Sequence, residues 1–173
     1  MSIVLLLCIA ASVGGSTHLP VQEVCPLCKT EFEFWAAASG LQLAKMLDLR
    51  PVGMIDAPSP IPVCPSCGFV IYGRGWRLGE REKLLKIVET DEYRDAAAEM
   101  TPYYLSGLIE EHMGAPSIDI AYKYLCASWE EQDLDRVVEH MGAPHPGRWY
   151  RVCAAKSLEH FERHLASSDT TRQ

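Results

Sequence analysis

The chain has 173 residues, 48% hydrophobic and 23% charged, which is ordinary globular usage and enough to bury a core in one domain or two small ones. Its net charge of -7 falls entirely in the second half: residues 1–79 carry five basic and five acidic side chains, residues 80–173 eleven and eighteen. A neutral first half and an acidic second half argue against a nucleic-acid backbone as ligand.

The chain opens on an apolar run, SIVLLLCIAASVGG, followed by the small residues that a signal peptidase accepts. Residues 1–20 therefore read as a signal-peptide-like or apolar leader, too short for a transmembrane span. As a cleaved signal it would make the chain exported or periplasmic. Read instead as a buried strand or an apolar helix, it would leave the chain cytoplasmic. No Lys or Arg precedes the run, and Cys8 follows Leu7 where a lipoprotein signal wants a small residue.

Residues 21–79 form the expected metal-binding domain. Four of the seven cysteines fall in two knuckles, CPLC at Cys25–Cys28 and CPSCG at Cys64–Gly68. A Cys-x-x-Cys turn delivers two thiolates from one short loop, and two such turns supply the tetrahedral four-sulfur set that a single structural zinc ion takes. Pro26 and Pro65 stiffen the turns, and Gly68 permits the positive backbone angle by which the chain leaves the second knuckle. FVIY at Phe69–Tyr72 reads as the strand that follows, with EFEFW at Glu31–Trp35 as its partner. The same Cys-Pro-x-Cys-Gly geometry suits a rubredoxin-like iron centre for electron transfer. A pair of thiol-disulfide couples is the third reading, although a redox Cys-x-x-Cys normally opens a helix after a strand.

Residues 29–63 separate the knuckles, more than in a compact ribbon. AAASGLQLAKMLDLR predicts a short helix or irregular cover. The prolines of PVGMIDAPSPIP predict an extended return strap without regular structure.

Beyond the hinge-like YGRGWRLG the pattern becomes helical over residues 80–166. Leu84, Leu85 and Val88 keep helical spacing, and Asp91 is placed to cap the next helix. Thr101 and Pro102 give a strong start signal for a helix carrying Tyr104, Leu105, Leu108 and Met113. The hexapeptide EHMGAP then occurs twice, at Glu111–Pro116 and Glu139–Pro144. Its Gly and Pro form a helix stop. A shift of 28 residues also superposes Tyr122 on Tyr150 and Ala127 on Ala155. Two tetratricopeptide-like helical hairpins are therefore expected, from about Thr101 to Trp129 and from about Glu130 to Leu165. Leu125 and Trp129 in the first, and Ala154, Leu158, Phe161 and Leu165 in the second, are their expected buried stripes. Residues 167–173 read as a flexible tail.

The order of these segments resembles a family. CPxC knuckles, DLRPVG, PSPIPVCPSCGFVIYG, EYRDAAAEMTPYYLSGLIEEHMGAP, AYKYLCASWEEQDLD and CAAKSLEHFERHL, over about residues 22–166, look like the bacterial proteins grouped as domain of unknown function 2225. The resemblance implies a zinc-ribbon-like start joined to tetratricopeptide-like helices, with Cys25, Cys28, Cys64 and Cys67 as metal ligands and no established activity.

Other candidates for chemistry read as structural. His112 and His140 sit where an imidazole serves helix-end carbonyls. His160 and His164 flank the expected stripe, hence exposed or partly exposed surface, with no third ligand in sequence range. Cys126 and Cys153 read as buried free thiols, or as a disulfide if the chain is exported. No phosphate loop, nucleophile elbow or carboxylate pair stands out. The expectation is thus an α+β protein in which a four-cysteine zinc-ribbon-like β element precedes antiparallel helical hairpins. Its expected function is a non-enzymatic scaffold presenting a surface to a protein partner. Electron transfer through iron and a nucleic-acid-binding ribbon are the alternatives.

Overall fold

The computed structural model describes residues 16–73, 78–140 and 148–170. They form an α+β fold of two separate two-stranded antiparallel sheets followed by five α-helices. Strand β1 (Thr17–Val24) pairs with β2 (Glu31–Ser39), with Val24 opposite Glu31 and Val21 opposite Phe34. The first knuckle is the turn between them. EFEFW is therefore a strand, but its partner is β1 and not FVIY, which keeps only an isolated bridge between Val63 and Val70. Pairing across the knuckle closes a far shorter loop than pairing with a segment some forty residues on, at a smaller cost in chain entropy. Thr17–Pro20, assigned to the leader on sequence grounds, belong to β1. Residues 1–15, with Cys8, lie outside the described residues.

The stretch expected as a short helix or irregular cover, together with the start of the strap expected to lack regular structure, instead finishes β2 and forms a second hairpin. Strand β3 (Leu41–Lys45) pairs with β4 (Pro51–Met54), Leu41 opposite Met54 and Lys45 opposite Pro51. Gly40 weakens any helix through AAASGLQLAK. It also allows the strands to meet, since a Cβ there would lie 2.8 Å from the Met54 carbonyl oxygen. Pro51 is tolerated because it opens its strand. The turn is closed by Met46 N–H donating to Arg50 O at 2.9 Å and Leu49 N–H donating to Met46 O at 3.0 Å.

The helices are α1 (Arg81–Val88), α2 (Asp91–Glu99), α3 (Pro102–Met113), α4 (Ser117–His140) and α5 (Arg148–Thr170). Thr90, not Asp91, caps α2: its Oγ1 accepts from Tyr93 N–H at 3.2 Å, and Asp91 is the first helical residue. Pro102 opens α3 as expected, but Thr101 makes no side-chain cap. The Glu130 carboxylate from α4 accepts from Tyr103 N–H at 3.1 Å, capping α3 from a neighbouring helix. Gly114 ends α3 in the left-handed conformation at φ 73°, as its place before Pro116 predicts.

One core links the two halves. Leu27, Phe69, Val70 and Tyr72 from the knuckle region pack with Leu84, Ile87 and Val88 of α1, Tyr93 of α2, and Leu105, Leu108 and Ile109 of α3. The sequence boundary near residue 79 is therefore crossed by shared packing. The hairpin boundary at Trp129 and Glu130 falls inside the continuous α4, which serves both the α3–α4 and the α4–α5 pairs. Of the second hexapeptide, Glu139 and His140 end α4, and Met141–Pro144 lie outside the described residues. The expected tail is partly helical, since α5 runs to Thr170. No described helix is long and apolar enough to cross a membrane.

Helix α5 buries a different face from the one its apolar pattern suggests. Leu158 and Leu165 are 59% and 65% exposed, whereas Cys153, Ser157 and His160 are buried. Small side chains at Cys153 and Ser157 suit a close approach to α4, where Ser157 Oγ donates to the Ala121 carbonyl at 2.9 Å. A polar partner for His160 completes that face.

Candidate metal centre

Cys25, Cys28, Cys64 and Cys67 converge, all four sulfurs lying within 4.8 Å of one another. Cys25 Sγ is 3.6 Å from Cys67 Sγ, and Cys28 Sγ is 3.4 Å from Cys64 Sγ. Four thiolates at about 2.3 Å from a tetrahedral ion stand about 3.8 Å apart, so a small adjustment seats a metal. Each close pair takes one sulfur from each knuckle, which is the interleaving a single ion requires.

The knuckles reach this geometry by the same backbone device. Cys25 N–H donates to Thr30 O at 2.9 Å and Lys29 N–H to Cys25 O at 3.0 Å; Cys64 N–H donates to Phe69 O and Gly68 N–H to Cys64 O, both at 2.9 Å. The residue after the second cysteine of each pair turns left-handed, Gly68 at φ 71° and Lys29 at φ 64°. Glycine adopts that conformation freely, whereas lysine is strained by roughly 1–2 kcal/mol. Lys29→Gly should therefore stabilise the metal-loaded protein by about 0.5–1 kcal/mol after the extra unfolded-state entropy is subtracted. Gly68→Ala should destabilise it by about 1–2 kcal/mol, purely through conformation, because no atom lies within 4 Å of the added Cβ. Denaturant midpoints of the two variants check both signs; a stabilised Gly68→Ala would contradict the shared-turn account.

The surroundings hold the second knuckle firmly. Tyr93 Oη donates to the Gly68 carbonyl at 3.0 Å and accepts from Val70 N–H at 3.3 Å, tying the knuckle exit to α2. Arg81 at the start of α1 donates to the carbonyls of Pro26, at 3.3 Å, and Leu27. It thereby fixes the first knuckle and brings a positive charge towards a site whose four thiolates would leave a bound divalent ion with net negative charge. Hydrogen bonds from the Thr30 side chain and backbone bring the Cys28 thiol down to about 6, while burial pushes Cys25 and Cys67 up. Cys28 is thus more readily a thiolate at neutral pH than Cys25 or Cys67. A bound cation would favour loss of the protons of Cys25 and Cys67, which would couple metal capture to proton release.

No family model matches the chain, and no curated protein or solved structure is similar to it. The site's reading rests on its own geometry.

The other candidates fall elsewhere. His112 lies in the last turn of α3, and its Nε2 is 3.0 Å from a Glu92 oxygen, linking α3 to α2. His140 has no described side chain. Cys126 and Cys153 are buried free thiols, pushed up to about 12 by burial. His160, expected at the surface, is 3% exposed and makes a 2.8 Å contact from Nε2 to Glu111 Oε1. His164 is half-buried and brings no metal-ligand cluster together with His160 among the described residues.

Glu111 is the centre of a network the sequence did not signal. Its Oε2 accepts from Tyr124 Oη at 2.7 Å and from Lys156 Nζ at 3.0 Å, so α3, α4 and α5 meet at one carboxylate. Lys156 also donates to Tyr124 Oη at 3.1 Å and stands 4.7 Å from the centre of that ring. Every described partner of the carboxylate is a structural side chain, which makes it a joint between helices.

Proposed function

We propose that the chain is a non-catalytic scaffold whose four-cysteine centre holds one structural zinc ion and whose helices present a surface to a protein partner. The observation that carries the zinc reading is the convergence of four thiols from two matched knuckles, with Cys25 and Cys64 buried in the core shared with α1–α3. Four thiolates fill a tetrahedral shell and leave no position for water or substrate, so the ion shapes the fold and performs no hydrolysis. The scaffold reading is supported by helices that already pack into one body with the knuckles and by the acidic charge of the helical half. The resemblance to domain of unknown function 2225 proteins is part of the same proposal and points to the same four ligands.

The donor set equally suits iron, and metal identity is the decisive measurement. Protein purified from its native source is expected to be colourless, with one zinc per chain by elemental analysis. Visible absorption of the ferric-thiolate type, with stoichiometric iron, would replace the scaffold reading by electron transfer. Stoichiometric nucleic acid co-purifying with the protein would replace it by the ribbon's nucleic-acid role.

A further inference from the structure

A cleft of about 670 Å³ lies away from the cysteines, between the β3–β4 hairpin with its following strap and the place where the start of α3 meets the middle of α4. Its apolar wall is Met46, Val52 and Ile55 on one side and Pro102 and Leu134 on the other. None of these belongs to the core cluster, and Met46, Val52 and Leu134 are exposed. The fold thus spends little of this apolar surface on its own stability.

The cleft is braced before any ligand arrives. A lone two-stranded hairpin is marginal in water. Here Arg50, buried beside the β3–β4 turn, pairs with Asp133 of α4. Tyr103 Oη of α3 donates to the Ser59 carbonyl of the strap at 3.0 Å. Asp56, at the rim, accepts from Ser16 Oγ at 2.6 Å and contacts His18, both from the start of the β1 segment. Both walls are held by ties to distant parts of the chain, so a ligand meets a formed groove.

Its charge is one-sided. Among the described residues, three carboxyl groups, Asp56, Glu130 and Asp133, line the cleft with one cation, Arg50, which pairs with Asp133. Burial lifts Glu130 to about 7, so it is only partly ionised at neutral pH, and the standing negative charge of the lining comes from Asp56 and from Asp133, the latter shared with Arg50. An apolar groove with an acidic lining is complementary to an apolar side chain flanked by a cation. The chain's own residues 1–15 are apolar but carry no Lys or Arg, so they match only half of that description.

We propose that this cleft is the partner-docking surface, and that the partner inserts a segment in which an apolar side chain is neighboured by lysine or arginine. This rests on the scaffold reading above and gives it a location and a ligand chemistry.

The test is selection of short random displayed peptides on the full-length, zinc-loaded chain, followed by binding measurements on the selected sequences. The selected pool should be enriched in an apolar residue next to Lys or Arg, and binding should weaken as salt is raised. Leu134→Lys, at an exposed helix position, should weaken these peptides at least about tenfold with an unchanged melt. Leu134→Ala should weaken them less. Leu158→Lys, on the exposed face of α5, should leave them unchanged.

Peptides that lack basic residues, or that bind Leu134→Lys as well as the parent, would overturn the cleft while leaving the scaffold reading standing. A selection that enriches nothing would count against both. Displacement of the selected peptides by a synthetic peptide of residues 2–15 at similar concentration would show that the chain covers its own cleft, and would overturn an external partner there.

Discussion

Removing the metal with a chelator, or replacing one ligand by Cys64→Ser, is expected to abolish cooperative folding of the knuckle region and to loosen α1, α2 and α3 with it. The reason is the shared core. Cys25 and Cys64 are buried among the same side chains as Leu84, Tyr93 and Leu108, so without the ion the two knuckles cannot keep their places against the helices. Structural zinc contributes roughly 10–16 kcal/mol of apparent binding energy in small domains, comparable to or above the total stability of an ordinary domain. Circular dichroism should retain helical signal from α4 and α5 while the thermal transition broadens or disappears. On chelation the four ligand thiols of the parent should become reactive together. A melt unchanged by chelation, with complete metal removal verified, would refute a structural ion.

The second large effect is expected at Glu111. Glu111→Ala leaves the Lys156 ammonium, the Tyr124 hydroxyl and His160 Nε2 without their common acceptor, at an expected cost of about 2–4 kcal/mol. Glu111→Gln keeps the size and part of the hydrogen bonding and should lose about half as much. Burial opposes ionisation of this carboxyl. The hydrogen bonds from Tyr124, His160 and Lys156 outweigh it, and the group sits below its ordinary value.

A carboxyl depressed on folding adds stability that is complete above its unfolded value, about 4.3, and is lost as pH falls through the folded value. The gap in stability between the parent and Glu111→Gln should therefore be widest near neutrality and close below about pH 4. Comparing the two proteins at each pH cancels the parallel loss of metal from protonated thiolates. Equal stability of parent and Glu111→Ala at neutral pH would show that the network carries no net energy.

Sequence and structure agree where a residue type answers a local demand. The Cys-Pro-x-Cys spacing, the left-handed Gly68, Pro102 at a helix start and Gly114 at a helix stop are each decided within a few residues of chain. The four ligands came together because two such local devices were matched. Disagreement begins where partners are distant. LQLAK holds helix-forming residues, yet pairing with PVGM makes it a strand. On α5 the apolar spacing of Ala154, Leu158, Phe161 and Leu165 is genuine, but the face that packs is the one with small and polar groups, because His160 finds Glu111 across the bundle. Lys29 in a position that favours glycine left no mark, since a lysine after CPLC reads as solvent-facing charge. The first copy of EHMGAP is a helix stop at Gly114, but its Glu111 joins three helices.

The placement of each knuckle at the tip of an antiparallel turn also bears on how the chain tolerates change in length. An ion held by the four cysteines would clamp the two ends of the excursion formed by residues 29–63, and the β3–β4 hairpin lies wholly within that excursion. Closing a longer loop costs only about 0.6 kcal/mol for each doubling of its length. Lengthening or shortening the turn after Lys45, or grafting a foreign hairpin there, should leave the four sulfurs in register while remaking one wall of the cleft. The metal centre is in this sense an anchor that frees the segment between its ligands to diverge.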